Sequence, residues 1–106
     1  MTEPNDAPFL TMWRYRIRPE HIAEFERAYG PDGEWAELFR RGDGYLGTEL
    51  VRGATPGEYA TIDRWVSAEA HADFLDRWRD DYAALDRRTE VLTDEEHHVL
   101  HGDLVE

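Results

Sequence analysis

The stretch from Tyr59 to Asp86 constrains the fold more than any other part of this 106-residue chain. Tyr59-Ala-Thr-Ile-Asp-Arg-Trp65 reads as an alternating strand that places Asp63 and Trp65 on one face. One serine, Ser67, then leads into Ala68 to Asp86, where Phe74, Leu75, Trp78, Tyr82 and Leu85 recur at helical spacing. Ser67 lacks a Gly-x-Ser-x-Gly setting and has Glu69 just beyond it, so it reads as a helix N-cap rather than a nucleophile. The helical stripe also takes in His71, one turn from its start. An indole and an imidazole therefore meet where sheet passes into helix. That join predicts either a lined pocket or two core residues with satisfied polar atoms.

The other elements follow from similar signals. From Phe9 to Arg18, the residues Phe9, Thr11, Trp13, Tyr15 and Ile17 alternate with Leu10, Met12, Arg14, Arg16 and Arg18, which predicts a strand with one dry face. Pro19 opens a helix with the stripe Ile22, Phe25, Ala28 and Tyr29, stopped by Gly30-Pro31. Trp35, Leu38 and Phe39 mark a short helical piece closed by Gly42. Tyr45 to Arg52 and Glu58 to Val66 form a hairpin around Gly53-Ala-Thr-Pro-Gly57, and Val99 to Val105 is the expected last strand. The order strand, helix, strand, strand, helix, strand predicts an α+β, ferredoxin-like βαββαβ fold with a four-stranded antiparallel sheet. The expected organisation is a flexible tail over residues 1–8 and one domain over 9–106. Helices on one side of such a sheet leave the other face for a partner, and a second copy of the chain is the expected one.

The residue inventory removes whole classes of chemistry. With no Cys, thiol nucleophiles, disulfides and thiolate metal sites are excluded. With no Lys, Schiff-base catalysis and a Walker phosphate loop are excluded too. A net charge of −12 opposes nucleic acid and anionic membrane surfaces as partners, since phosphate contacts need cations. No apolar run of membrane-spanning length and no signal-peptide pattern is seen, so a cytoplasmic location is expected. No glycine-rich dinucleotide fingerprint is present, which argues against a tightly held nucleotide cofactor.

Four segments together carry a family likeness: Tyr29-Gly-Pro, Gly33-Glu-Trp-Ala-Glu-Leu-Phe, Gly44-Tyr-Leu-Gly-Thr-Glu-Leu and Tyr59-Ala-Thr-Ile-Asp-Arg-Trp. Over residues 10–105 the chain resembles the antibiotic biosynthesis monooxygenase-like domains of the dimeric α+β barrel superfamily. That family includes cofactor-free oxygenases that convert polycyclic phenols or anthrones to quinones, quinol monooxygenases and haem-degrading enzymes. By this resemblance Trp65 matches the tryptophan that ends the third strand of active members, and His71 stands where some cofactor-free oxygenases have a tyrosine. Two positions depart from the pattern. Thr61 stands where the cofactor-free enzymes have an asparagine, and Asn5, the one asparagine, lies far away in the N-terminal tail. Phe74 stands where haem-degrading members ligate iron with a histidine, which speaks against haem degradation.

The resemblance implies a cofactor-independent monooxygenase acting on a phenolic, anthrone or quinol-type aromatic. Such chemistry deprotonates the substrate to an electron-rich anion that reduces O2 directly, and it needs a base, a dry pocket and a donor to an oxyanion. His71 is the first candidate base and Asp63 the second, although a salt bridge from Asp63 to Arg14 or Arg16 would leave it a poor base. Trp65 is the candidate N–H donor. Tyr15, Tyr45, Tyr82 and Phe74 are the candidate substrate-binding residues. Two other readings stay open: a non-catalytic dimer that binds a small molecule or haem, and a structural dimer whose pocket volume is filled by Trp13, Phe39 and Trp78.

A second cluster, Asp94-Glu-Glu-His-His-Val-Leu-His101, is dense in carboxylates and imidazoles. His97 and His101 would share a face in a regular strand or helix, with Glu95 joining them in a strand. The spacing matches no established metal motif; a divalent ion is one reading, and a solvated acidic edge leading into the last strand, a helix start or turn, is the expected one.

Overall fold

The computed structural model describes residues 7–105. Asn5 and most of the expected tail lie outside the described residues. The elements are β1 (Phe9–Arg16), a 3-10 turn at Pro19–His21, α1 (Ile22–Tyr29), α2 (Glu34–Phe39), β2 (Tyr45–Arg52), β3 (Glu58–Trp65), α3 (Ala68–Arg77), α4 (Arg79–Thr89), a 3-10 turn at Glu90–Leu92 and β4 (Glu95–Asp103). The sheet order is β2-β3-β1-β4 with every neighbouring pair antiparallel. This is the ferredoxin-like α+β fold expected from the element order.

The two central strands keep the predicted alternation. Thr11 and Tyr15 on β1, Ile17 just after it, and Tyr59, Thr61, Asp63 and Trp65 on β3 are buried on the helix side. Phe25 of α1 binds the two strands together, with its ring 5.3 Å from Tyr15, 5.0 Å from Tyr59 and 4.3 Å from Tyr29. On the opposite face Leu10, Met12 and Ile62 are half-buried, while Val51 and Leu100 are exposed. Met12 stands directly between Ile62 and Leu100 in the register, so this second face carries an apolar centre.

Two expectations need correction. Ser67 does cap the long helix, its hydroxyl accepting from Ala70 N at 3.1 Å, but the helix bends at Trp78, whose φ of −109° and ψ of 27° divide it into α3 and α4. Hydrogen bonds run through the bend, from Trp78 N to Phe74 O and from Tyr82 N to Trp78 O. The last strand begins at Glu95, four residues before Val99, so the acidic segment is strand rather than turn. An edge strand has solvent on its free side, and charged side chains there deter pairing with other chains. Arg16 lies opposite Glu95 and pairs with it at 3.8 Å.

Candidate functional site

Two β-bulges decide which side chains share the helix-facing side of the sheet. In the pairing of β2 with β3, Tyr45 faces Trp65 and Thr48 faces Asp63, leaving Leu46 as the extra residue beside Gly47, whose φ is +139°. In the pairing of β1 with β4, Trp13 faces His98 and Thr11 faces His101, leaving Val99 as the extra one. An extra residue reverses the alternation beyond it. Tyr45 and Thr48, three apart, therefore lie on one side, and so do His98 and His101. His97 pairs with Arg14 on the opposite side, which separates it from His101 and dissolves the sharing of faces expected for that pair. Among the described residues no group of three or more His, Asp or Glu side chains is arranged to hold a metal ion.

Asp63 occupies the middle of β3, with Thr11 and Thr48 as its two cross-strand neighbours. Both hydroxyls donate to its carboxylate, Thr48 Oγ1 at 2.6 Å and Thr11 Oγ1 at 3.2 Å. A threonine hydroxyl has one proton to give, and that of Thr48 goes to Asp63. The Tyr45 phenol must then be the donor to Thr48, which makes the chain Tyr45, Thr48, Asp63 directional. No arginine takes part: Arg16 pairs with Glu95, and Arg14 is exposed on the other face. The ion pair entertained for Asp63 is replaced by two neutral donors. Burial pushes the Asp63 carboxyl up from 3.8 to about 6, with the Thr48 and Thr11 bonds drawing it back.

A cavity of about 120 Å³ opens in front of Asp63. Its walls are Trp13 and Tyr15 of β1, Tyr29 of α1, Trp35 and Phe39 of α2, and Tyr82 of α4. Thr48, Thr61, Asp86 and Glu96 complete the lining. Burial raises the phenols of Tyr29 and Tyr82 to about 12 and that of Tyr15 well above its ordinary value. At neutral pH these phenols are donors and not bases. Tyr15 shares a 3.1 Å hydrogen bond with Thr61, and Thr89 accepts from both Tyr29 (3.2 Å) and Trp35 Nε1 (3.3 Å) while donating to Leu85 O. The walls are therefore fixed by hydrogen bonds behind them, as well as by packing.

Trp65 and His71 stand apart from that cavity. Trp65 is 0% exposed, with ring centres of Phe74, Tyr45, His71 and Phe39 at 5.1, 5.3, 5.4 and 5.9 Å. A side chain at Gly42 would come within 3.0 Å of the Trp65 ring, so the turn after α2 closes directly on the indole. His71 lies between Phe9 (5.5 Å) and His101 (5.7 Å). Burial, and then His101, lower its imidazole from 6.5 to about 4. Of the seven candidate residues, Asp63, Tyr15 and Tyr82 line the cavity. Tyr45 reaches it through Thr48, while Trp65, Phe74 and His71 form a packed group behind Phe39. Trp13 and Phe39 are walls of the cavity and do not fill it.

Sequence reasoning missed Tyr29, Trp35, Thr48, Asp86 and Glu96. Tyr29 and Trp35 read as core residues on helical pieces, and Asp86 as the end of a helix. Thr48 and Glu96 were invisible for one shared reason, that a bulge or a misplaced strand start resets which face a residue takes. Gly47 beside Thr48 was the available signal, since a glycine inside a strand marks a bulge.

The fold agrees with what comparison finds. By structure the chain resembles a putative antibiotic biosynthesis monooxygenase from Bordetella bronchiseptica, with TM-score 0.71 and 21% identity over 94% of this chain and 99% of the other. It also resembles SnoaB, a cofactor-independent oxygenase from Streptomyces nogalater, with TM-score 0.59 and 19% identity over 94% and 93%. A dimeric ferredoxin-like protein from an uncultured marine organism aligns with TM-score 0.66 and 11% identity over 98% and 93%. No curated protein matches by sequence. At these identities the likeness speaks for the fold, whereas the sequence profile of one family matches residues 8–98, nearly the whole of the described chain. The chain belongs to the antibiotic biosynthesis monooxygenase family.

Proposed function

We propose that this protein is a cofactor-independent monooxygenase acting on a phenol or quinol, with Asp63 as the base. The observation that carries the reading is a buried carboxylate with no cationic partner among the described residues, its pKa raised to about 6, on the wall of an aromatic cavity. A base works best when its pKa lies near the working pH, and Asp63 meets that condition where His71, at about 4, does not. The Asp63 carboxylate takes the phenolic proton, and the phenolate passes electrons to O2. One oxygen atom enters the ring to give a quinone and the other leaves as water. All four electrons come from the substrate, so no external reductant is needed. The Tyr82 phenol and the Trp13 indole, both on the wall, are the donors for the developing oxyanion, the one N–H of Trp35 being taken by Thr89.

Cavity size favours the smaller members of the substrate class. An engineered apolar cavity of about 150 Å³ takes up benzene. A space of about 120 Å³ therefore suits one aromatic ring, and a three-ring anthrone would have to extend through the mouth. The apolar centre of the outer sheet face, around Met12, Ile62 and Leu100, supports a homodimer formed through that face. Sedimentation of wild type against Met12→Glu tests it, the variant being expected to run as a monomer.

The function is tested by oxygen uptake on hydroquinones, monocyclic phenols and anthrones without added cofactor, comparing wild type with Asp63→Asn. Uptake with a quinone product, lost in Asp63→Asn, is the expected result. Uptake undiminished in that variant removes Asp63 from the chemistry. Ligand binding without uptake by the wild type would make the cavity that of a binding protein.

A further inference from the structure

The cavity carries a charge problem that the proposed chemistry sharpens. Asp63, Asp86 and Glu96 all line it, and no Arg or His is among its lining residues. Ion pairs are made close by, Arg16 with Glu95 and Arg18 with Asp94, yet Glu96, next in sequence, has no such partner among the described residues. Asp86 on α4 has none there either. The negative field reaches the walls: Glu96 and Asp86 both oppose ionisation of Tyr29 and Tyr82. Partial desolvation, then Asp86 and Glu90, hold the carboxyl of Glu96 above its ordinary range although the residue is exposed at the cavity mouth. A substrate turned into a phenolate here would meet the same opposition.

A positive charge on the substrate itself would remove it. Asp86 enters from α4 and Glu96 from β4, opposite Tyr15 in the register, so the two carboxylates approach the cavity from different elements. Around them stand the faces and edges of Trp13, Tyr29, Trp35 and Tyr82, the ring types that attract cations most strongly. We infer that the cavity takes a single-ring phenol or quinol bearing a protonated amine, its ring among the aromatic walls and its ammonium at Asp86 and Glu96. The placing of the hydroxyl at Asp63 rests on the oxygenase reading, whereas the preference for an ammonium does not.

Calorimetric titration of the intact protein with tyramine, 4-ethylphenol and 3-(4-hydroxyphenyl)propionate separates the cases, since the three share a phenol and differ in charge. Tyramine is expected to bind at least about tenfold more tightly than 4-ethylphenol, with the propionate weakest, and added salt is expected to weaken tyramine alone. In Asp86→Asn and Glu96→Gln the ratio of tyramine to 4-ethylphenol affinity is expected to fall severalfold, and residual 4-ethylphenol binding reports that the cavity is still formed. Equal or tighter binding of the neutral phenol, tightest binding of the propionate, an unchanged ratio in both variants, or no binding of any of the three at millimolar concentration would each overturn the inference. Oxygen uptake without ammonium preference would leave the oxygenase reading standing and sink this one. Ammonium preference without uptake would do the reverse.

Discussion

Two regions on the same side of the sheet each bury a titratable group, and they bury it differently. Around Asp63 the carboxylate receives two threonine hydroxyls and faces an open cavity. Around Trp65 the half-buried imidazole of His71 is flanked by rings, and no side-chain hydrogen bond to it is found among the described residues. Burial moves both groups toward their neutral forms, but with opposite chemical results. Raising a carboxyl to about 6 makes it a stronger base that is still ionised at neutral pH. Lowering an imidazole to about 4 makes it a weaker one. The same desolvation that suits Asp63 to proton abstraction disqualifies His71, and the Trp65 group is left as the packed floor against which the cavity walls are set.

The largest expected effect breaks the comparison at its chemical end. Asp63→Asn should lower oxygen uptake by about 100-fold or more, the usual scale for losing a general base. It should also stabilise the protein. A native carboxyl at about 6 against 3.8 holds more protons than the unfolded chain between those values, so the contribution of Asp63 to stability falls as pH rises through that window. The full penalty, about 3 kcal/mol at most, is present above pH 6. Asp63→Asn should therefore gain stability at pH 7 and little at pH 4, as read by denaturant unfolding at both.

At the other end Trp65→Ala should cost about 3–5 kcal/mol of stability, since it empties a fully enclosed site beneath Gly42. Thermal unfolding reads this directly. Thr48→Val sharpens the comparison more gently. Removing the shorter of the two donors should move the Asp63 pKa, and with it the acid limb of kcat/KM, upward from about 6, with an unfolding cost of about 1 kcal/mol. The smallest effect is expected for His71→Phe. Uptake should stay within a few-fold of wild type. Native His71 binds fewer protons than the unfolded chain between about pH 4 and 6.5, so its contribution to stability rises with pH there, against that of Asp63, and the variant should lose that contribution.

Much of the fold could be read from periodicity, and the site could be read only in part. Tyr59 to Trp65 and Phe9 to Ile17 hold strict period-two order in central strands, so their inward faces, Asp63 included, were legible. The cap at Ser67 and the stripe through Phe74 and Leu85 were legible for the same reason. What escaped were places where one residue too many shifts the period. Leu46 put Thr48 against Asp63, and Val99 put Glu96, His98 and His101 on the inner face. Apolar and exposed, Leu46 and Val99 look like inward residues to any pattern reading. The family resemblance drew attention to Trp65 and His71, which lie at the join the sequence marks most clearly, while the cavity formed beside it from α1, α2 and α4 together.

The pH dependence of kcat/KM for oxygen uptake, measured on the best quinol or phenol substrate, tests most directly whether the cavity carboxylate does the chemistry. A single acid limb near pH 6 is expected, one that moves upward in Thr48→Val, is unmoved in His71→Phe and disappears with the activity in Asp63→Asn. A limb near pH 4 that vanishes in His71→Phe, with Asp63→Asn still active, would contradict it and return the base to the Trp65 side of the molecule.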